Sequence, residues 1–181
     1  VAEMLPMVVS MMRELGVKTE WAVIGTERQE FFPLTKNLHN LIHGHGEPVL
    51  SPADRELYDL VSRENADALK EKLSADDVLV IHDPQPMGSG ALLAEEMGIR
   101  AVWRCHIGLD RPDPNAELGW DFLRPYLADV SDFVFSRRAY VPEFCDHGKA
   151  RIITPSIDAF SAKNQELSEA AVRTILVHTG L

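Results

Sequence analysis

The chain predicts an α/β fold: a Rossmann-like parallel sheet with helices on both faces. Three observations predict it. Short β-branched apolar runs alternate with segments of helical periodicity from residue 78 onward, and such alternation is the signature of strands joined by helical crossovers. The 181 residues, 45% hydrophobic and 25% charged, suit a soluble domain with a real core. Polar clusters fall directly after the apolar runs, at the strand ends where open parallel sheets bind ligands.

Apolar residues recur at helical spacing from Ala2 to Leu15, and Gly16 is a fitting stop. Thr19 to Ile24 reads as a strand closed by Gly25. Glu30 to Gly44 begins as a loop and becomes a helix. Ser51-Pro52 opens a helix, with a capping residue before proline, that runs to about Leu73. Val78–Ile81 is a buried parallel strand. Gly90 to Met97 is helical and ends at Gly98. Ala101–Trp103 is a strand. Asn115 to Ala128 is helical, with Pro125 expected to kink it. Phe133–Phe135 is a strand, Val141 to Asp146 a short helix, Arg151–Ile153 a strand, and Leu167 to Val177 a last helix. Residues 1–160 form the expected domain, and 161–181 a helical segment leading onward.

The formal net charge of -10 repels phosphodiester backbones and argues against general nucleic-acid binding. No apolar run approaches a membrane span. Cys105 and Cys145 form neither CxxC nor a zinc-ligand pattern, so they read as free thiols of a cytoplasmic protein. The chain starts at Val1 inside a helical pattern and stops after another at Leu181. Both ends read as internal to a longer polypeptide.

Three segments sit where the site rule points: His82-Asp83-Pro84-Gln85-Pro86, Arg104-Cys105-His106 and Pro155-Ser156-Ile157-Asp158. In the first, Asp83 and Gln85 can bond sugar hydroxyls from a loop stiffened by prolines. The alternative is that Asp83 or Ser89 caps the next helix. In the second, Arg104 offers a planar fork for phosphate or carboxylate and His106 a neutral or cationic donor. The alternative is an Arg paired with a nearby Asp and a His packed in the core. His39, His43 and His45 hint at a metal, but Asn40 stands where HExxH has its glutamate, and no metal is expected. No complete GxGxxG and no GxSxG is present.

Several strings together carry a resemblance: Val1-Ala-Glu-Met4, Phe31-Phe32 with Thr35-Lys36 and His39-Asn40, Arg63-Glu-Asn65, His82-Asp-Pro-Gln-Pro86, Trp103-Arg-Cys-His-Ile107 and Pro155-Ser-Ile-Asp158. In this order they resemble the trehalose synthase branch of the retaining GT-B glycosyltransferases of family 4. That clan also includes trehalose phosphorylases and glycogen and sucrose synthases. The resemblance implies the N-terminal, acceptor-side half of an enzyme with two Rossmann-like domains. Its implied substrates are a nucleoside-diphosphate glucose (ADP- or UDP-glucose) and glucose, its product trehalose, its assembly a homodimer. It requires no further cofactor. The donor-phosphate residues of the family would lie beyond Leu181, so the chain alone is expected to be inactive. His106 resembles the histidine that contacts the transferred glucose. His82, Asp83, Gln85 and Arg104 are the implied acceptor residues, and Glu30, Thr35, Lys36 and Asn37 those of the opposite wall. An Asp is expected soon after His106-Ile107; here Gly108 follows and Asp110 comes later, so Asp110 receives no role. A phosphorylase of the same clan and a stand-alone sugar- or nucleotide-binding α/β module are the alternatives.

Overall fold

A computed structural model describes residues 4–156, 164 and 166–179. Val1 to Glu3, and Ile157 and Asp158 of the last motif, lie outside the described residues. So does the expected boundary at 160.

Four strands form one sheet: β1 (Val78–His82), β2 (Arg100–Cys105), β3 (Asp132–Phe135) and β4 (Ala150–Ile152). They lie in the order β1-β2-β3-β4, every pair parallel. The sheet is flanked by helices, as the α/β alternation predicts. The helices are α1 (Leu5–Glu14), α2 (Phe31–Ile42), α3 (Pro52–Lys70), α4 (Met87–Met97), α5 (Pro114–Leu123) and α6 (Glu169–Thr179). Side chains alternate across a strand, and here one set is sequestered: Ile81, Ala101, Trp103, Cys105, Phe133 and Phe135 are all buried. Trp103 lies at the centre, fully buried, with Trp120 of α5, Phe133 and Phe135 packed edge-on around it. The other set is more open; Val78 and Val80 are 58% and 50% exposed.

Local chemistry fixes the helix ends. Ser51 and Asp54 form a reciprocal capping box at the start of α3. Asp113 caps α5 by accepting from the Ala116 N–H at 2.8 Å. Gly98 ends α4 in the left-handed conformation, φ 64°. Pro125 does not kink α5. The chain instead tightens into a 3-10 turn at Arg124–Leu127, because a proline nitrogen cannot donate to the preceding turn. α4 starts three residues before the predicted Gly90. Its glycines allow close approach there: a Cβ on Gly88 would meet Ser62 Oγ of α3 at 2.2 Å, and one on Gly90 would meet Ile81 Cδ1 of β1 at 2.2 Å.

Two predicted elements are corrected. Thr19 to Ile24 forms no strand. Trp21 and Val23 are exposed, and no strand edge among the described residues supplies its backbone with partners. The segment is instead tied at its end by Asn65, whose amide bonds both the N–H and the carbonyl of Gly25 at 2.9 Å. Val141 to Asp146 is not helical. Six residues with an early proline cannot repay helix nucleation, and the chain makes a 3-10 turn at Arg138–Tyr140 followed by a turn closed from Cys145 N–H to Pro142 O.

Replacing Gly90 with Ala should cost about 1–3 kcal/mol, because Ile81 is β-branched, buried and unable to retreat. Urea unfolding measures it. An unchanged midpoint would mean that α4 does not press on β1 as described.

Candidate functional site

Register brings the two central motifs together. His82, the last residue of β1, is paired with Arg104 in β2. The residues that follow, Asp83 on one strand and Cys105-His106 on the other, therefore emerge side by side at the carboxyl edge of the sheet.

Asp83 locks them. It is the one non-glycine residue with positive φ among the described residues, at 62°, a conformation that is strained for most side chains but tolerated by Asp and Asn. In this pose three bonds cross from Asp83 to β2 and its extension. Its N–H donates to Arg104 O at 3.0 Å. Its carbonyl accepts from Trp103 Nε1 at 3.0 Å. Its carboxylate accepts from the His106 N–H at 2.9 Å. It does not cap α4, which has no side-chain cap; the capping reading is removed. Burial raises the Asp83 pKa above the ordinary carboxylate range, against the lowering effect of the His106 N–H bond.

Tyr58 of α3 fixes the rest of the loop from beneath. Its buried hydroxyl donates to Pro84 O at 2.6 Å and accepts from the Gly88 N–H at 3.0 Å. Gln85 is half-buried and has no hydrogen-bond partner among the described residues. Its amide is free for a ligand.

Across the loop, His82 and His106 are half-buried, and His82 Nδ1 lies 3.1 Å from His106 Nε2. Burial, and then the Arg104 charge, lowers the pKa of both, that of His106 to about 4. Both rings are therefore neutral at pH 7. Among the described residues Arg104 makes no ion pair. Its Nη2 donates to Ile153 O at 2.9 Å, beyond β4, while its buried Nη1 has no partner among them. A buried guanidinium nitrogen without an acceptor is costly, and a ligand oxygen placed there would satisfy it. Cys105, also buried, is an inert thiol whose pKa is raised by burial.

Of the four residues of the opposite wall, Thr35, Lys36 and Asn37 sit on α2 and Glu30 at its start. Glu30 precedes the helix and is exposed, as is Lys36. Thr35 is buried and donates to Phe32 O. Asn37 spends its amide on the backbone N–H and carbonyl of Glu47, at 2.8 and 3.0 Å. At the far end of α2, His39 lies edge-on to His43, just past the helix, with ring centres 5.2 Å apart. The spacing of four predicts that these histidines share a face, and their ring contact agrees with it. Tyr58 left no signal in the sequence. Among the described residues no three His, Cys, Asp or Glu side chains are grouped to hold a metal ion. No helix among them is long and apolar enough to cross a membrane.

The family described as "Trehalose synthase, N-terminal domain" matches residues 1–142, a span that takes in both motifs and the Asp83 clamp. The chain belongs to the trehalose synthase N-terminal domain family. Within that family it is 40% identical over 175 residues to the trehalose synthases of Thermococcus litoralis and Pyrococcus furiosus, an overlap of 95% of this chain and 40% of each relative. It is 36% identical over 187 residues to the trehalose synthase of Rubrobacter xylanophilus, covering 100% of this chain and 42% of that protein. The chain thus spans about two fifths of the length of these trehalose synthases.

Two outcomes follow for this domain. Asp83→Asn keeps an acceptor for His106 N–H and tolerates the left-handed backbone, so it should fold nearly as stably as the parent. Asp83→Ala loses both and should cost about 1–3 kcal/mol for the orphaned donor alone; chemical denaturation separates them. The second concerns pH. The folded pKa of His106 lies below its ordinary value, so the unfolded chain binds more protons between about 6.5 and about 4. Its stabilisation is present above that window and is lost as pH falls through it. His106→Gln should flatten the fall of stability over this range, leaving the parallel contribution of His39, also lowered to about 4 by burial. An unchanged slope would contradict the burial of a neutral His106.

Proposed function

We propose that this chain is the acceptor-side half of a retaining glycosyltransferase that makes trehalose from a nucleoside-diphosphate glucose and glucose. The observation that carries the reading is the cluster at the carboxyl edge: two neutral imidazoles, with the Gln85 amide and Arg104 Nη1 both without partners among the described residues. Neutral donors and acceptors at close quarters suit an uncharged polyol, and a lone cationic nitrogen suits an oxygen that carries or develops negative charge. Membership of the family supports the product.

In this reading His82, Asp83, Gln85 and Arg104 form the acceptor region, and His106 touches the transferred glucose. Glu30, Thr35, Lys36 and Asn37 belong to the opposite wall, Thr35 and Asn37 by shaping it. A hydroxyl oxygen of the acceptor attacks the anomeric carbon of the donor as its bond to the diphosphate breaks. The departing diphosphate takes the hydroxyl proton, so that trehalose and a nucleoside diphosphate leave with the α configuration kept. Positioning and preorganised dipoles supply most of the rate. Among the described residues no carboxylate is placed as a nucleophile at His106: Asp83 is buried and engaged with the His106 backbone. The half that grips the nucleotide lies outside this chain, the protein acts as a homodimer in the cytoplasm, and no metal takes part.

A protein uniting this chain with its donor half should form trehalose from glucose plus ADP- or UDP-glucose, followed by carbon NMR. This chain alone should form none. His106→Ala in the united protein should lower kcat about 10²–10³-fold, the loss typical of one preorganised donor. Trehalose formed from glucose 1-phosphate without nucleotide would instead identify a phosphorylase.

A further inference from the structure

The geometry points to Tyr58 as the residue that positions the Gln85 amide: its hydroxyl caps α4 from a neighbouring helix and holds the backbone on both sides of Gln85. The loop between β1 and α4 has few anchors of its own. Gln85 lies between Pro84 and Pro86, neither of which has an N–H to donate. Pro86 stands at the N-cap of α4, and the helix start has no capping side chain of its own. The first turn of a helix nevertheless leaves N–H groups without intrahelical partners. Met87 N–H turns back to Pro84 O at 3.3 Å. Gly88 N–H, the second of the helix, donates to the Tyr58 hydroxyl of α3 at 3.0 Å. That is the service an N-cap Ser or Asp performs in an ordinary helix.

The same hydroxyl has one proton to give, and it goes to Pro84 O at 2.6 Å. One oxygen thus ties the residue before Gln85 to the third residue after it. Only a neutral hydroxyl can do both, and burial keeps it neutral by raising the Tyr58 pKa well above the ordinary tyrosine range.

The core, and not the site, sets where this hydroxyl lies. Tyr58 is fully buried. Its ring stacks on Phe31 of α2 at 6.1 Å, meets Phe122 of α5 edge-on at 5.4 Å and lies 5.1 Å from the Tyr126 ring. Gly88 lets the ring come close: a Cβ there would meet Tyr58 Cε1 at 2.8 Å and run into Ser62 Oγ. Asp83 therefore holds the loop from the β2 side and Tyr58 from the α3 side. Between them Gln85 has a fixed backbone and an amide with no partner among the described residues. A group ordered before its ligand arrives binds it more tightly. Tyr58 touches no ligand in this scheme; it acts through Gln85. This deepens the proposed acceptor site and rests on that reading for the sugar, whereas the cap rests on geometry alone.

The test uses the protein that unites this chain with its donor half, carrying Tyr58→Phe, Gln85→Ala or both. Tyr58→Phe keeps the ring and removes only the hydroxyl. Hydrogen exchange read by mass spectrometry should then quicken in the peptide spanning residues 84–88 and stay as in the parent across β3. Unchanged exchange in that peptide would overturn the cap. Glucose affinity is read by equilibrium titration, which needs no turnover. Each single variant should weaken it by up to about tenfold, the size of one well-placed hydrogen bond, with KM for the nucleotide donor unchanged. The double variant should bind glucose no more weakly than Gln85→Ala alone, since Tyr58 acts through that amide. Losses that multiply would refute the positioning role. Failure of the parent to bind glucose would refute the sugar assignment of Gln85. Should Tyr58→Phe not fold, nitrogen NMR of the Gly88 amide in the parent decides the cap: slow exchange is expected, and exchange at the rate of an open amide overturns it. No readout of the cap or of the cycle needs trehalose formation, so this inference and the transferase reading fail separately.

Discussion

The left-handed Asp83 is the constraint from which the site hangs. A parallel sheet brings strand ends together, but it leaves the loops beyond them without ladder partners. Here one residue supplies three bonds to the next strand's end, from its N–H, its carbonyl and its carboxylate. The positive φ is what lets all three point the same way. The strain, on the order of 1–3 kcal/mol at such positions, is offset by bonds in a buried setting where an unmet donor would cost as much. Trp103 joins the clamp to the core, since the ring that packs against Trp120, Phe133 and Phe135 also donates to Asp83 O. Packing at the centre of the sheet and geometry at its edge are therefore one problem.

The electrostatics of the site follow from the same enclosure. Burial disfavours charge on every titratable group at the edge, raising Asp83 and lowering His82, His106 and Arg104. The Arg104 charge adds to the lowering of both histidines. The result is an edge where two neutral imidazoles sit beside one guanidinium and a buried Asp83 carboxyl, in a chain of net charge -10. Such a surface suits the uncharged sugar proposed for it.

Much of this was legible in the sequence, and the rest was hidden for identifiable reasons. The apolar runs at Val78–Ile81 and Phe133–Phe135 named their strands by composition, but β1 is not the buried strand expected: it lies at the sheet edge with Val78 and Val80 exposed. The two motifs were found because polar residues after such runs are conspicuous. What could not be read was direction. Asp83 looked equally like a helix cap, and only the backbone angle decides between that and a clamp. Asn37 looked like a ligand residue, yet it holds Glu47. His43 was visible as one of a helical pair, but which way that face turns depends on how α2 packs against α5. Thr19 to Ile24 had a strand's composition; composition cannot supply the neighbouring edge that a strand needs.

The most direct test of the site as a whole is a crystal structure of this chain grown with glucose. The sugar should lie at the carboxyl edge of β1 and β2, with its oxygens within reach of His82 or His106 and of Gln85 or Arg104 Nη1. Glucose bound elsewhere, with His82, Gln85, Arg104 and His106 untouched, would contradict the assignment of this edge as the sugar site.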